Sequence, residues 1–210
     1  MKTALFIDGS NFFGGLYELV GSKKTINFSE FLELLTSKLP TDDVFFYATY
    51  MRSDDTKSEK ERLKANGQKA LFDSAKQCKG INFYWGHLSR TSGKEKGVDV
   101  HMAIDIALSA ALKKYSEITI MTGDADLQYA VEIAKKYGVG VNLAALSTRF
   151  PLGIALRVNS CAVFDVNEFF KKNVLEKYHI KRKNIEVFDI SELVRNLDNK
   201  GPTHNAGHVR

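Results

Sequence analysis

Short apolar runs alternate with stretches of helical spacing along most of this chain, and that alternation constrains the fold more than any single motif. Thr3–Asp8 (TALFID) reads as a strand, with a helix beginning near Phe12. Phe28–Leu39 carries apolar residues three and four apart, as one face of a helix requires, and Pro40 closes it. A second strand is expected at Asp43–Met51, a long helix ahead of Gly80, and a third strand at Ile81–Leu88. Val98–Tyr115 is apolar almost all round, which predicts a helix buried on more than one side. A strand at Glu117–Gly123, a helix ended by Gly138, and strands at Val139–Leu146 and Cys161–Val166 follow, with a helix over Asn167–Tyr178. Strands separated by helices of this length need crossover connections. The expected fold class is therefore α/β, with a central, mainly parallel sheet and helices on both faces. Residues 1–166 make the domain, 167–198 a helical extension and 199–210 a flexible tail; within the extension, Asn184–Leu197 could add a strand and a short helix.

Composition narrows the partners. Among 210 residues, 44% are hydrophobic and 26% charged, enough apolar material for a full core. No apolar run approaches the ~18–20 residues that span a bilayer. MKTALFIDGSN reaches Asp8 after a few apolar residues, so it is read as a first strand rather than a secretory leader. Cys78 and Cys161 are expected as reduced thiols of a cytoplasmic protein. The net charge of +5 is compatible with a polyanionic partner. Basic residues gather in Lys57–Lys69, Arg90–Lys96 and Lys177–Lys183, although each group alone also describes an ordinary solvated face.

Acidic residues fall where strands end. Asp8 closes the first strand, Asp124 and Asp126 follow the fourth, and Asp99 opens the helix leading into the fourth. In an open parallel sheet, ligands bind beyond the carboxyl ends of the strands. If the first and fourth strands are neighbours, four carboxylates share one rim, which is costly unless a cation offsets their repulsion. Oxygen donors without clustered Cys or His suit Mg²⁺ or Mn²⁺, and such an ion serves phosphodiester hydrolysis.

The sequences FIDGSN (Phe6–Asn11), KGVDV (Lys96–Val100) and TGDADL (Thr122–Leu127) resemble, in order and spacing, the three signature motifs of NYN domains. These form the LabA-like branch of the PIN-like nucleases, and the likeness covers roughly residues 1–166. The resemblance implies a PIN-like three-layer sandwich and a Mg²⁺- or Mn²⁺-dependent ribonuclease activity; the reaction expected of such an acid cluster is internal cleavage of single-stranded RNA by water attacking phosphorus, which leaves a 5′-phosphate and a 3′-hydroxyl. Asp8, Asp99, Asp124 and Asp126 would be the metal-binding acids, with Asn11 beside them. The family often has Ser and Phe where this chain has Ala125 and Leu127; both acids of the motif are kept. No membrane partner is expected, and a homodimer is compatible with this kind of domain.

Each residue also has a plainer explanation. Asp8 could be a turn residue before Gly9, Asn11 the cap of the helix near Phe12, and Asp99 or Asp126 a helix cap. His101 and Asp105 could simply satisfy each other at i,i+4. Ser10 and Thr122 offer hydroxyls to a phosphate or a water. Arg52, Arg90, Lys94, Lys96 and Arg149 are candidates for RNA-backbone contacts, whereas Tyr84 and Trp85 read as core. A HAD-like phosphatase would need acids where Ser10 and Gln128 stand. The glycines match neither a phosphate-binding P-loop nor a dinucleotide fingerprint. The rival from another class is a non-catalytic RNA-binding or adaptor protein on the same fold.

Overall fold

The computed structural model describes residues 2–39, 41–51, 58–88, 95–175 and 184–197. The chain runs β1 (Thr3–Asp8), α1 (Gly9–Val20), β2 (Lys24–Ile26), α2 (Phe28–Lys38), β3 (Asp43–Ala48), α3 (Glu59–Gln77) and β4 (Ile81–Trp85). It continues through β5 (His87–Leu88), β6 (Glu95–Lys96), α4 (Val98–Ala111), β7 (Glu117–Met121), α5 (Gln128–Lys136), β8 (Gly140–Leu146), α6 (Leu152–Ala155), β9 (Cys161–Asp165), β10 (Ile185–Asp189) and β11 (Val194–Asn196).

Seven strands form the central sheet in the order β10-β9-β8-β7-β1-β3-β4, every neighbouring pair parallel. Alternate residues of β1 feed opposite faces, as a period of two demands. Leu5 and Ile7 join a core built with α1, α2 and α3, while Ala4 and Phe6 join one built with α4, α5 and α6. The result is a three-layer sandwich. The α1–α3 side is rich in rings: Phe28 meets Phe46 edge-on at 5.2 Å, and Phe31 meets Phe164 at 5.0 Å, an arrangement that suits the quadrupoles of aromatic rings. Local signals agree with the tertiary packing. Asn27 caps α2, and Ser58 with Glu61 closes a capping box on α3.

Three sequence expectations change. The strand expected at Ile81–Leu88 breaks at Gly86, after which His87–Leu88 pairs with β6 instead of continuing along β3; Gly86 itself has no room for a Cβ, which would lie 2.2 Å from Thr49 Oγ1 and 2.3 Å from Val98 Cγ2. α4 is not buried on several sides: Val98, Met102, Ile106 and Ala110 enter the core, while Val100, Ile104, Leu108 and Leu112 face solvent. The 167–198 segment, expected as a helical extension, contributes strands as well as helix. Among its described residues it makes a π-helical turn at Lys171–Leu175, then β10 along the open edge of β9, then β11 antiparallel to β2. Ile, Val and Phe in β10 suit a strand, and pairing there covers an otherwise free edge. Residues 198–210, and with them the expected tail, lie outside the described residues.

Candidate functional site

The order of the sheet creates a crevice. From β1 the chain turns into α1 on one face, and from the adjacent β7 into α5 on the other. Connections that part to opposite faces leave a gap beyond the carboxyl ends of the two strands, the usual place for a ligand in such sheets. Asp8 stands at the end of β1 and Thr122–Asp126 directly after β7.

Asp8 is only 3% exposed, and both of its oxygens are engaged. Oδ1 accepts the Asn11 backbone N–H at 2.9 Å, capping α1, and Oδ2 accepts the Thr122 hydroxyl at 3.0 Å. Asp8 is thus the cap, and Asn11, for which a capping role was open, has a different task. Its Oδ1 accepts the Gly123 N–H at 2.9 Å and ties the exit of β1 to the exit of β7. Two of the three motif glycines, Gly9 and Gly123, are required by space. A Cβ on Gly9 would sit 2.3 Å from the Phe46 ring, and one on Gly123 would sit 2.3 Å from the Arg149 carbonyl oxygen.

Thr122 passes the chain of bonds onward, its Oγ1 accepting the Asp124 N–H at 3.0 Å. Asp124 Oδ1 in turn accepts the Asp126 N–H at 2.9 Å and caps the 3₁₀ turn Ala125–Leu127. The capping role belongs to Asp124, which leaves Asp126 exposed at the rim. Asp99 lies in the first turn of α4, beside the Val98 that packs on Gly86, and makes no cap there. Desolvation first, then the charges of Asp124 and Asp126, raise its carboxyl above the ordinary aspartate range. Asp99 therefore feels the charges of Asp124 and Asp126. Their oxygen donors suit a hard divalent ion in kind. Among the described residues, no three carboxylate, imidazole or thiol groups already surround one point.

Arg149 reaches the same crevice, with its guanidinium lying where a side chain on Gly14 would otherwise be. Glu18 holds it through Nε at 3.1 Å and Nη2 at 2.6 Å, and Asp8 and Asp124 add weaker attraction. Glu18 had no signature in the sequence. Ser10 is half-buried in the first turn of α1. Arg52, Arg90 and Lys94 lie outside the described residues; the backbone of Lys96 pairs with His87, while its side chain lies outside them.

Three buried polar atoms among the described residues have no hydrogen-bond partner: Thr49 Oγ1, Ser147 Oγ and Asp165 Oδ1. Thr49 follows β3, Ser147 follows β8 and Asp165 ends β9, so all three lie along the carboxyl rim of the sheet. Asp165 ends its strand as Asp8 does, a parallel that was visible in CAVFDV. Below the site, a cavity of about 10 Å³ lined by Asn11, Phe12, Met121, Thr122, Ala145 and Leu146 has room for one water.

Two neighbouring assignments also shift. The His101 ring stacks on Tyr84 at 4.4 Å, and Asp105 accepts the Tyr47 hydroxyl at 2.8 Å, in place of the pairing expected between them. Trp85, read as core, is 52% exposed and stacks on Tyr50 at 4.3 Å. Cys78 and Cys161 are free thiols. No helix among the described residues is long and apolar enough to cross a membrane.

Comparison with known proteins fits this geometry. A 54-residue stretch is 37% identical to the uncharacterized protein y4oD of Sinorhizobium fredii, covering 26% of this chain and 25% of that one. The match thus spans about a quarter of that relative's length. The crystal structure of VPA0982, a protein of unknown function from Vibrio parahaemolyticus, superposes with a TM-score of 0.54 at 17% identity, covering 77% of this chain and 91% of that chain. That likeness speaks for the fold. The family model of the NYN domain matches residues 2–164, the span that carries β1 through β8, most of β9 and all three motifs, and the chain belongs to the NYN domain family within the PIN-like superfamily.

Proposed function

We propose that the protein is a divalent-metal-dependent ribonuclease that cuts single-stranded RNA internally at the β1–β7 crevice, in the cytoplasm. The observation that carries this reading is the Asp8 network. A buried carboxylate at a strand end is bound on both oxygens and linked through Thr122 to Asp124, while Asp99 is near enough to feel the charges of Asp124 and Asp126. NYN domains are generally ribonucleases, and the crevice lies beyond the carboxyl ends of β1 and β7, where ligands of such sheets bind.

Asp8, Asp99, Asp124 and Asp126 would hold Mg²⁺ or Mn²⁺. When bound, the ion supplies Lewis-acid activation of water and stabilises charge on the phosphoryl oxygens. The chain supplies position. Thr122 and the Asn11 backbone fix Asp8, the Asn11 side chain fixes the loop that carries Asp124, and Arg149 adds positive potential for a phosphate, moderated by Glu18. Ser10 and, where they reach the rim, Arg52, Arg90, Lys94 and Lys96 would contact the RNA backbone.

One observation favours a second reading, an RNA-binding protein without catalysis: the carboxylates are not already gathered in threes among the described residues. Cleavage of labelled single-stranded RNA with Mn²⁺, Mg²⁺ or EDTA separates the two, using wild type, Asp99→Asn and Asp124→Asn. Metal-dependent cutting that both variants lose supports the nuclease. RNA binding without cutting in all three proteins rejects it.

A further inference from the structure

Val100, Ile104, Leu108 and Leu112 recur every fourth residue along α4 and at its end, and are 61%, 56%, 49% and 58% exposed. Four-residue spacing sets them in one row, a ridge along the helix. Ala103, Ala107 and Ala111 form a parallel row of small residues beside it. Single exposed apolar residues need no explanation, but a continuous row on one helix does. Charge is confined to the ends of this row: Asp99 lies at the start, Lys113 and Lys114 beyond the last turn, while Asp105 turns away to Tyr47.

We propose that this face is the interface of a homodimer, with α4 packed antiparallel on α4 of a second copy. The occupant follows from the opposite charges at the two ends of the row and from the area it exposes. Reversing the helix about the midpoint of the row sets Val100 level with Leu112 and Ile104 level with Leu108 of the second copy. The ridge of each helix then fills the alanine groove of the other, the self-complementarity that a two-fold interface requires. Antiparallel pairing also sets the acidic first turn against the basic end and opposes the helix dipoles, whereas a parallel pair would bring like ends together.

The area is sufficient. The four side chains expose roughly 400 Å², already as much as the largest patch on an ordinary monomer. α5, on the same layer, adds Tyr129 at 71% and Tyr137 at 51% exposure. With them the apolar surface reaches roughly 700 Å², near the ~800 Å² that a stable interface takes from each partner. The apolar residues on both sides of α4 are thereby explained: the side left bare in one copy is covered in the pair.

The test is the mass of the full chain in solution by sedimentation equilibrium, from micromolar to hundred-micromolar concentration. Wild type should approach twice the monomer mass, and Ile104→Glu with Leu108→Glu should weaken the dimer at least ~100-fold. The unchanged circular dichroism of that variant would show that it folds. Independently, Ala107→Cys beside the two-fold axis should form a disulfide between copies on mild oxidation, and Leu156→Cys should not. A wild type that stays monomeric throughout overturns the proposal and assigns the face to another partner. A dimer that survives the double substitution overturns it too, because the contact would then lie elsewhere.

Discussion

Replacing Asn11 tests the join between the two halves of the site. Asn11→Ala removes the acceptor of the Gly123 N–H, a part-buried bond of 2.9 Å. A donor left unpaired costs ~1–3 kcal/mol, and the lower half of that range applies where water can reach it. Alanine returns ~0.5 kcal/mol of helix propensity within α1. The net loss is about 1 kcal/mol, and at ~2–4 °C per kcal/mol for a chain of this size the melting temperature should fall by a few degrees. Asn11→Asp has the same shape and keeps an acceptor for Gly123, but adds a charge beside Asp8 and Asp124. Its melting temperature should therefore drop without divalent ion and recover when Mg²⁺ or Mn²⁺ is added, while that of Asn11→Ala stays low in both. Thermal melts with and without metal read the difference directly. If Asn11→Ala melts within half a degree or so of wild type, the bond to Gly123 does not hold the loop. If Asn11→Asp responds to metal no more than wild type does, the acids do not share an ion.

Further outcomes follow from particular contacts. Gly9→Ala would place a Cβ 2.3 Å from Phe46 and 2.9 Å from the Tyr47 carbonyl, and urea titration should show a loss of ~3 kcal/mol or no folded protein at all. Glu18 is held below its ordinary value of 4.5, chiefly by its hydrogen bond to Arg149, so the pair stabilises the fold above that pH and ceases to as pH falls through the lowered value. Because both side chains are partly exposed, Glu18→Gln should cost no more than ~1 kcal/mol at neutral pH and nothing in strong acid, as melts across the acid range would register. Trp85 is the sole tryptophan, and its 52% exposure predicts red-shifted emission quenched by iodide; a blue-shifted, unquenched spectrum would return it to the core. Trp85→Ala should cost less than the ~3–5 kcal/mol of a buried tryptophan, measured by urea unfolding.

What was legible in the sequence had a period or a position. The alternation of apolar runs and helices forced the parallel sheet, and the ends of β1 and β7 located Asp8, Asp124 and Asp126. What escaped was decided by distance in space. Nothing in the chain announces that Asn11 must meet Gly123, or that Arg149 will be shared with Glu18 from α1. Capping was foreseen, but its owner was not, because Asp8 and Asn11, like Asp124 and Asp126, are chemically able to exchange the role. Apolar character misled twice, at Trp85 and on α4: hydrophobicity says that a residue gains from burial, not that its own chain supplies the cover.

The Asp8–Thr122 hydrogen bond joins residues 114 positions apart. During synthesis, Asp8 is made well before Thr122 and Asp124, so this bond is missing while the early portion of the chain is emerging. It exists only after β7 has been inserted beside β1, a long loop closure that comes late and at an entropic cost. Sheet topology thus acts as a timer for the site, which is completed only once Thr122–Asp126 has been made.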